Sequence, residues 1–448
     1  MTALTTGGSP QMVAPCERLS LAHNFGWMLR GNLVYAACQW GMIVALAKIG
    51  SPAMLGRFSL ASAVATPVFM FSNLQLRAAQ ATDAKSEYSF AEYLGLRFLT
   101  ILGALIAIYA ISSHQDLRET SLVILAVGVV KAVDSVSDMC HGLLQRHERM
   151  DRIAKSLMLK GFIGSSTLVA GVYWTGGIFW GTMGLFIASV VVLIFYDLRS
   201  VAVVLGPYTV GQASLAGFRT FVPALQALRA TGGLIRLAWL TLPLGLVMAL
   251  VSLNVNLPRY FIAHSLGERE LGFFAAMTYV IAGASTVIDA LGQAASPQLA
   301  NYYARRELSA FRQVALRLVT FGALVGACGV GLAWVAGREV LGIIYSGEYA
   351  ARADVFLWLT LAATIQYIGT FLGYSMTAAR YFRAQIPLFL VTTGITALGC
   401  LLFIPRYGLR GAAMALLISA VLQCVGSAAI LVHACASRAT REPLPVNG

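Results

Sequence analysis

Charged residues are scarce in this sequence. Aspartate, glutamate, lysine and arginine make up 11% of its 448 residues, whereas a typical soluble domain contains about 25%. Hydrophobic residues account for 58%, and the mean hydropathy is +0.74. This composition excludes an ordinary soluble enzyme and indicates a protein that crosses a membrane several times.

Motifs for ATP hydrolysis, metal binding and secretion are also missing. The sequence has no G-x-x-x-x-G-K-[ST] string, which excludes a P-loop as the energy source. Its seven cysteines are scattered without metal-ligand spacing. No apolar core precedes a cleavage site in the first 20 residues, so no signal peptide is expected. We therefore expect neither a metal nor a cofactor.

About twelve apolar runs are long enough to cross a bilayer, at roughly 20 residues per span. They predict a six-helix bundle over 1–200, a cytoplasmic loop over 201–236, a second six-helix bundle over 237–435 and a flexible cytoplasmic tail over 436–448. The expected spans begin near Trp27, Phe58, Leu94, Ser121, Leu157 and Gly181, then near Leu237, Leu271, Val314, Val355, Pro387 and Gly411.

The net charge of +13 reflects topology rather than a nucleic-acid partner. If the N-terminus is cytoplasmic, most basic residues fall at cytoplasmic helix ends, for example Arg146, Arg149, Arg305 and Arg306. Such a bias is typical of short cytoplasmic loops in membrane proteins. We therefore expect both termini to be cytoplasmic.

Three short segments of the first half recur in the same order in the second half, as in a duplicated transporter. Because each half has an even number of helices, both halves have the same orientation. The sequence thus predicts an all-α polytopic membrane protein of two parallel six-helix repeats around a central cavity. The matched pairs are Leu55–Ala61 with Leu271–Met277, Leu96–Leu105 with Leu316–Leu324, and Gly176–Ser189 with Tyr407–Ser419.

The predicted fourth span carries polar side chains along one stripe. At about 100° per residue, Lys131, Asp134, Asp138 and His141 lie within roughly an 80° arc, continued by Gln145. Ionisable groups are costly in hydrocarbon and usually face a bundle interior or a watered cavity. The stripe therefore predicts the wall of a polar passage. The alternative for Lys131 and Asp134, spaced i and i+3, is a structural ion pair.

Aligning the repeats on their Leu-Gly pairs places Asn73 opposite Asp289 and Arg77 opposite Gln293. These residues extend the polar set to the predicted second and eighth spans. Asp289 lies near the middle of its span, so it is expected to face the cavity. For Arg77, an equally weighted alternative is that the side chain reaches the cytoplasmic headgroups.

The predicted first and seventh spans also correspond and contain polar residues. The seventh includes Pro243 and Pro258, and interrupted helices often mark a transporter's binding site. Arg259 is interpreted as reaching the outer headgroups. The residues expected at the cavity are Arg30, Asn32 and Gln39 on the first span, and Asn254 and Asn256 on the seventh.

The segment Leu55–Arg97 resembles the corresponding part of Wzx-type oligosaccharide and polysaccharide flippases. The shared pattern is a glycine-aromatic helix start, the polar residues Asn73, Gln75 and Arg77, and a short charged loop before Tyr93. These exporters belong to the superfamily that includes the multidrug antiporters. The resemblance implies alternating access in the bacterial inner membrane, with an undecaprenyl-diphosphate-linked sugar as cargo. Polysaccharide polymerases and glycosyltransferases are the protein partners it implies.

Roles for the polar residues follow from this resemblance. Diphosphate charge must be matched on leaving water, and sugars require hydrogen-bonding amides. A proton or sodium gradient is the expected energy source. Phosphate candidates are Arg30, Arg77 and Lys131; sugar-contact candidates are Asn32, Gln39, Asn73, Asn254, Asn256, Gln293 and Gln366; ion-coupling candidates are Asp134, Asp138 and Asp289.

Three other classes of membrane protein are alternatives to a flippase. A multidrug or cation antiporter is the nearest, but it favours an acidic cavity. A major-facilitator transporter requires a basic-Asp-Gly loop after the second span, which is absent. A membrane polymerase or ligase requires a large catalytic outer loop, whereas the longest outer segment is only about Gly337–Asp354. The sequence therefore favours a transporter over an enzyme.

Overall fold

The protein, seen here in a computed structural model, is described for residues 21–82, 87–114, 117–205, 231–379 and 382–440. These ranges are helical and contain no β-strand. The first half comprises α1 (Leu21–Ile49), α2 (Pro52–Ser72), α3 (Leu76–Thr82), α4 (Phe90–Ser112), α5 (Arg118–Arg146), α6 (Met150–Thr175), α7 (Ile178–Val192), a π-helical turn (Leu193–Asp197) and α8 (Leu198–Leu205). The second half comprises α9 (Thr231–Leu266), α10 (Glu268–Ala304), α11 (Leu308–Ile344), α12 (Gly347–Ala350), α13 (Ala353–Ala378), α14 (Phe382–Tyr407) and α15 (Leu409–Thr440).

The polytopic all-α prediction is confirmed. In the described part of the chain, 11 helices are long and apolar enough to cross a membrane. A twelfth long helix, α6, packs between α1 and α7 but is less apolar because it carries Lys155 and Lys160 among other charges. Each of the twelve predicted starts falls in a different long helix.

The helical segments extend past the predicted domain limits. Helix α8 runs to Leu205, α9 begins at Thr231, and α15 continues to Thr440. The remainder of the predicted loop (206–230) and of the predicted tail (441–448) lies outside the described residues, as do residues 1–20.

Packing within one half is repeated in the other. Helix α1 packs on α6 as α9 packs on α14, and α4 packs on α5 as α11 packs on α13. The pairs α6–α7 and α14–α15 correspond in the same way, as do α2–α5 and α10–α13. This correspondence matches the parallel duplication inferred from the sequence. The halves meet mainly where α2 packs against α9 and α10.

The starts of α2 and α10 cross at a reciprocal backbone contact. A Cβ added to Gly56 would lie 1.7 Å from the carbonyl oxygen of Glu268, and one added to Gly272 would lie 1.8 Å from that of Pro52. Gly56 and Gly272 are the glycines of the two repeated Leu-Gly pairs. Only a residue without a Cβ permits such an approach, which explains a glycine at both positions.

Charged side chains reinforce this crossing, which we call the Glu268 end of the bundle. The carboxylate of Glu268 accepts a hydrogen bond from Arg57 Nε at 2.6 Å and another from the Thr120 hydroxyl. Arg57 also pairs with Glu119. The two halves are thus joined here by backbone packing and by an ionic cluster. We call the opposite end the Arg77 end.

Replacing Gly272 by alanine should open the Glu268 end, because the added methyl group cannot fit against the Pro52 carbonyl. Overpacking costs about 1–3 kcal/mol, enough for a roughly fivefold or greater population shift. The measurement is the rate at which a water-soluble maleimide labels a cysteine placed at Thr120, which is buried behind the crossing. The seven native cysteines are first replaced.

The matched control is Gly283→Ala on the same helix, because a Cβ at Gly283 has no atom within 4 Å. It should leave the labelling rate unchanged. Equal labelling in the two alanine variants would contradict the proposed role of the crossing.

Candidate functional site: a basic cavity between the halves

A cavity of about 250 Å³ lies at the junction of the two halves. Five helices of the first half and two of the second contribute its wall. Its polar lining residues are Tyr35, Gln39, Ser62, Thr66, Lys131, Asp134, Lys160, Thr182, Ser189, Asn256, Arg259 and Tyr279. The cavity therefore lies between the two repeats, as the sequence predicted for a central cavity.

The cavity carries more positive than negative charge. Three cationic side chains, Lys131, Lys160 and Arg259, face one carboxylate, Asp134. The net formal charge of the lining is therefore +2. An apolar surround strengthens the field of these groups, because it screens charge less than water does. The cavity is suited to an anionic ligand that carries hydroxyl or amide groups.

Arg259 comes from the second half and is held by its own helix. Its guanidinium donates a hydrogen bond to Asn256 Oδ1 at 3.1 Å and lies 6.0 Å from the centre of the Tyr279 ring. Pro258 lies inside the same helix. The interpretation of Arg259 as an outer headgroup anchor is wrong, because its position on α9 directs it into the bundle.

Asp134 pairs with Lys160 and not with Lys131. Lys160 Nζ lies 3.0 Å from Asp134 Oδ1, and the Ser189 hydroxyl donates to the same oxygen at 3.2 Å. Within the described residues Lys131 has no ion-pair partner. The alternative of a Lys131–Asp134 structural pair is therefore wrong, and the Lys131 ammonium is available to a ligand.

A second, smaller cavity of about 180 Å³ continues from the first toward the Arg77 end. Both cavities are lined by Thr66, Lys131 and Asp134. The second is also lined by Asn73 and Asp138. Lys131 and Asp134 thus stand where the two cavities meet.

The smaller cavity borders a network of buried polar groups. Arg97 is 0% exposed, donates to Asn73 Oδ1 and lies 3.5 Å from Asp138 Oδ2. Arg77 lies 3.2 Å from Asp138 Oδ1 and donates to Gln145 Oε1 at 3.2 Å. Asp138 is thus held between two guanidiniums. The alternative in which Arg77 extends to the headgroups is wrong, since its partners lie on α5 inside the bundle.

The chain bends sharply beside this network. Leu74 and Gln75 adopt positive φ angles of 47° and 52° between α2 and α3. Non-glycine residues rarely take this left-handed conformation, and such strain concentrates at functional sites. The bend separates Asn73 at the end of α2 from Arg77 on α3, where the sequence had predicted one continuous helix.

Several predicted site residues lie away from both cavities. Arg30 and Asn32 are exposed on α1, and Gln366 is exposed on α13. The amide oxygen of Asn254 accepts a hydrogen bond from Thr396 of α14, so it joins two helices of the second half. Gln39, Asn73, Arg77, Lys131, Asp134, Asp138 and Asn256 are brought to the cavities or to the adjoining network.

Asp289 and Gln293 form a separate polar site in the second half. Both are exposed on α10, and both interact with the Tyr374 hydroxyl of α13. Neither lines the cavity between the halves. Both lie farther toward the Arg77 end of α10 than Tyr279, which does line that cavity. The expectation that they face the space between the halves stays a prediction.

Three buried charged residues were not predicted from the sequence as site residues: Lys160, Arg97 and Asp197. Lys160 lies only three residues after the predicted start of the fifth span near Leu157, but α6 begins earlier, at Met150, which places Lys160 well inside the helix. Arg97 and Asp197 fall near predicted span ends, where headgroup contact is the usual interpretation. The tertiary packing instead buries both completely.

Solved structures of membrane transporters share this fold. A structure described as the lipid II flippase MurJ in an inward closed conformation superimposes with a TM-score of 0.66, 12% identity, and coverage of 92% of this chain and 89% of that one. An inward-facing multidrug resistance MATE family transporter of the MOP superfamily gives a TM-score of 0.62, 14% identity, and coverage of 95% and 97%. The chain is thus a multi-pass membrane protein with the same fold as these two structures, one described as a flippase and the other as a transporter.

One curated relative adds a functional context. The capsular polysaccharide biosynthesis protein CapF of Staphylococcus aureus is 23% identical over 403 residues, which cover 89% of this chain and 96% of that protein. No protein-family model matches the chain.

Replacing Asp138 by asparagine should destabilise the fold, because the buried Arg97 guanidinium loses its carboxylate. Breaking a buried ion pair costs about 3–5 kcal/mol, and the lower value applies because Asp138 is partly exposed. The measurement is the thermal unfolding midpoint in detergent. Glu348→Gln, which breaks the exposed pair with Arg269, is the control and should cost less than about 1 kcal/mol. Equal midpoints in the two variants would show that Arg97 does not depend on Asp138.

Proposed function

We propose that the protein is a flippase that moves an undecaprenyl-diphosphate-linked oligosaccharide from the inner to the outer leaflet during polysaccharide or lipopolysaccharide synthesis. The cavity charge carries this proposal. A lining of net charge +2 matches the negative charge of a diphosphate as it leaves water. The Wzx-like pattern in the sequence and the relative in capsule synthesis favour the same class of cargo.

The polar residues of the cavity fit the two parts of such a headgroup. Lys131 and Arg259 are the phosphate ligands, because one has no ion pair within the described residues and the other is bound only to a neutral amide. Gln39, Asn256 and Thr66 offer hydrogen bonds to sugar hydroxyls. The prenyl chain remains in lipid between helices, so its movement from one leaflet to the other carries no desolvation penalty.

The cavity volume supports a cycle of conformations. Ligand sites are usually about 300–1,000 Å³, so a cavity of about 250 Å³ is too small for an oligosaccharide. The cavity must therefore widen to admit cargo. Opening at the Arg77 end and then at the Glu268 end, around the α2–α10 crossing, gives alternating access.

The membrane orientation follows from the basic loops. We place the Arg77 end, with Arg146, Arg149, Arg305 and Arg306, in the cytoplasm of a bacterium. Both termini then lie in the cytoplasm, and the protein lies in the inner membrane. Cargo supplied by cytoplasmic glycosyltransferases enters at this end, and a polymerase receives it at the Glu268 end.

An ion gradient is the proposed energy source, with either a proton or a sodium ion as the coupling ion. Asp134 lies in the cavity, and Asp138 lies in the adjoining network. Asp289 lies in the polar site of the second half beside Tyr374. Carboxylates at a cavity or in a polar site within a bundle are suited to bind a cation in one conformation and release it in another.

A multidrug or cation antiporter is the second candidate, since a MATE family transporter shares the fold. The sign of the cavity charge argues against it. An organic cation would be repelled by three basic side chains with one carboxylate among them.

Replacing Lys131 or Arg259 by glutamine should slow flipping at least tenfold. Each change removes a charge-assisted hydrogen bond worth about 1.5–3 kcal/mol. The measurement uses vesicles with reconstituted protein and a lipid-diphosphate oligosaccharide, whose transfer is followed by its accessibility to an external lectin.

The control is Arg410→Gln, a basic residue of the Glu268 end that pairs with Asp354 outside the cavity. It should flip at the wild-type rate. Faster export of an organic cation by Lys131→Gln or Arg259→Gln, with lipid flipping unchanged, would replace the flippase proposal by the antiporter.

A further inference from the structure

Four ionisable groups form a chain from the cavity wall into the core of the first half. Asp134 lines the cavity and pairs with Lys160 at 3.0 Å. Lys160 Nζ also lies 4.0 Å from Asp197 Oδ2, and the other oxygen of Asp197 lies 3.5 Å from His141 Nε2. The ammonium of Lys160 is thus shared between a carboxylate at the cavity and a carboxylate in the core.

Asp197 is the unusual member of this chain. Its side chain is 0% exposed, and its polar neighbours are His141 Nε2 at 3.5 Å, Lys160 Nζ at 4.0 Å and the Ser156 hydroxyl. It ends the π-helical turn Leu193–Asp197, a local irregularity often found at functional sites. A fully buried carboxylate with so few close donors is costly, so its charge must be compensated by its neighbours.

The charges of the chain do not balance when His141 is neutral. Two carboxylates and one ammonium leave one negative charge on a chain in which Lys160, Asp197 and His141 are largely buried. One added proton, on the Asp197 carboxylate or on the imidazole, brings the total to zero. His141 Nε2 also lies 3.1 Å from the Ser156 hydroxyl, which can donate to an unprotonated Nε2 and can accept from a protonated one.

Other ionisable groups near Asp197 do not supply this compensation. Arg152 lies toward the Arg77 end of α6 and donates to Ser200, and Asp151 beside it is paired with Arg149. Cys140 and the tyrosines are neutral at physiological pH. The ionisable groups of the surrounding helices that interact electrostatically with this chain of residues are His141 and Cys140 of α5, Lys160, Arg152 and Asp151 of α6, Tyr35 of α1 and Tyr196 of the π turn.

We propose that Asp197 and His141 together bind one proton, and that this proton controls how strongly Lys160 attracts an anion in the cavity. Neither residue lines the cavity, so the site acts through Lys160. The existence of the proton site does not depend on the proposed function. The effect of the proton on cargo binding does rest on the proposed function.

The exchange involves a single proton, and no other bond forms or breaks. With the proton absent, Lys160 is neutralised by two carboxylates, and its field in the cavity is weak. With the proton present, the charge of Asp197 is compensated locally, and Lys160 retains only Asp134 as a counterion. An anion in the cavity is then bound more tightly, so binding takes up a proton and weakens as the pH rises through the midpoint of the pair.

The cargo link is tested by counting protons on binding. Calorimetry with purified protein in nanodiscs measures the binding of farnesyl diphosphate in two buffers of different ionisation enthalpy, with farnesol as the uncharged control. At a pH just above the midpoint of the unliganded protein, where the pair is mostly unprotonated, wild type should take up a large fraction of one proton and Asp197→Asn close to none. Asp354→Asn, a carboxylate paired with Arg410 in the other half, should match wild type. Equal uptake by Asp197→Asn and wild type would overturn the link.

The proton site itself is tested without any ligand. Nitrogen-15 NMR of labelled histidine follows the ring titration, and His141→Gln identifies the signal among the six histidines. Asp197→Asn should move the midpoint of that signal by roughly one pH unit or more, since a carboxylate at this distance exerts such an effect. Asp354→Asn should not move it. An unchanged midpoint in Asp197→Asn, with a wild-type elution profile, would overturn the proton site.

Failure of farnesyl diphosphate to bind wild type would overturn the cargo link and count against the flippase, while the histidine titration still decides the proton site.

Discussion

The close approach of α2 and α10 is the constraint on which the structure depends. Gly56 admits the Glu268 carbonyl, and Gly272 admits the Pro52 carbonyl, so one contact is made twice by equivalent residues of the two repeats. This contact brings the halves together at one end and leaves space between them for the cavity. The ionic cluster of Arg57 and Glu268 forms only because the helices meet here. A membrane provides little hydrophobic force between helices, so small residues that permit close packing are especially important.

The charged side chains of the first half differ in burial and in their ion-pair partners, and these differences give them separate roles. Lys131 faces the cavity without an ion pair in the described structure, and Asp138 is held by Arg77 and Arg97. Lys160 joins the cavity to the Asp197–His141 pair. Residues adjacent on one helical stripe therefore belong to three different electrostatic environments. The electrostatic cost of burial explains this division, because the most buried charges require oppositely charged partners, whereas Lys131 lines a cavity.

Sequence patterns predicted the helices better than the site. Apolar runs identify spans because lipid requires every backbone group to bond within its own helix. The stripe on α5 was recognised because charge is rare in such runs. Repeat alignment assigned Asp289 and Gln293 to the central cavity, whereas the contacts that the structure gives them are to Tyr374 of their own half. The duplicated helices are equivalent in position, but their side chains face different surroundings.

The sequence by itself determined the number of spans, the parallel duplication and the presence of charge inside the membrane. Each of these follows from local composition or from comparison of one segment with another. Only the tertiary structure decided which charges pair. Lys160 is distant in sequence from both Asp134 and Asp197, and Arg259 and Lys131, which come from different halves, line the same cavity. Pairing between distant residues depends on how helices rotate and cross, and that rotation is fixed by packing of the whole bundle.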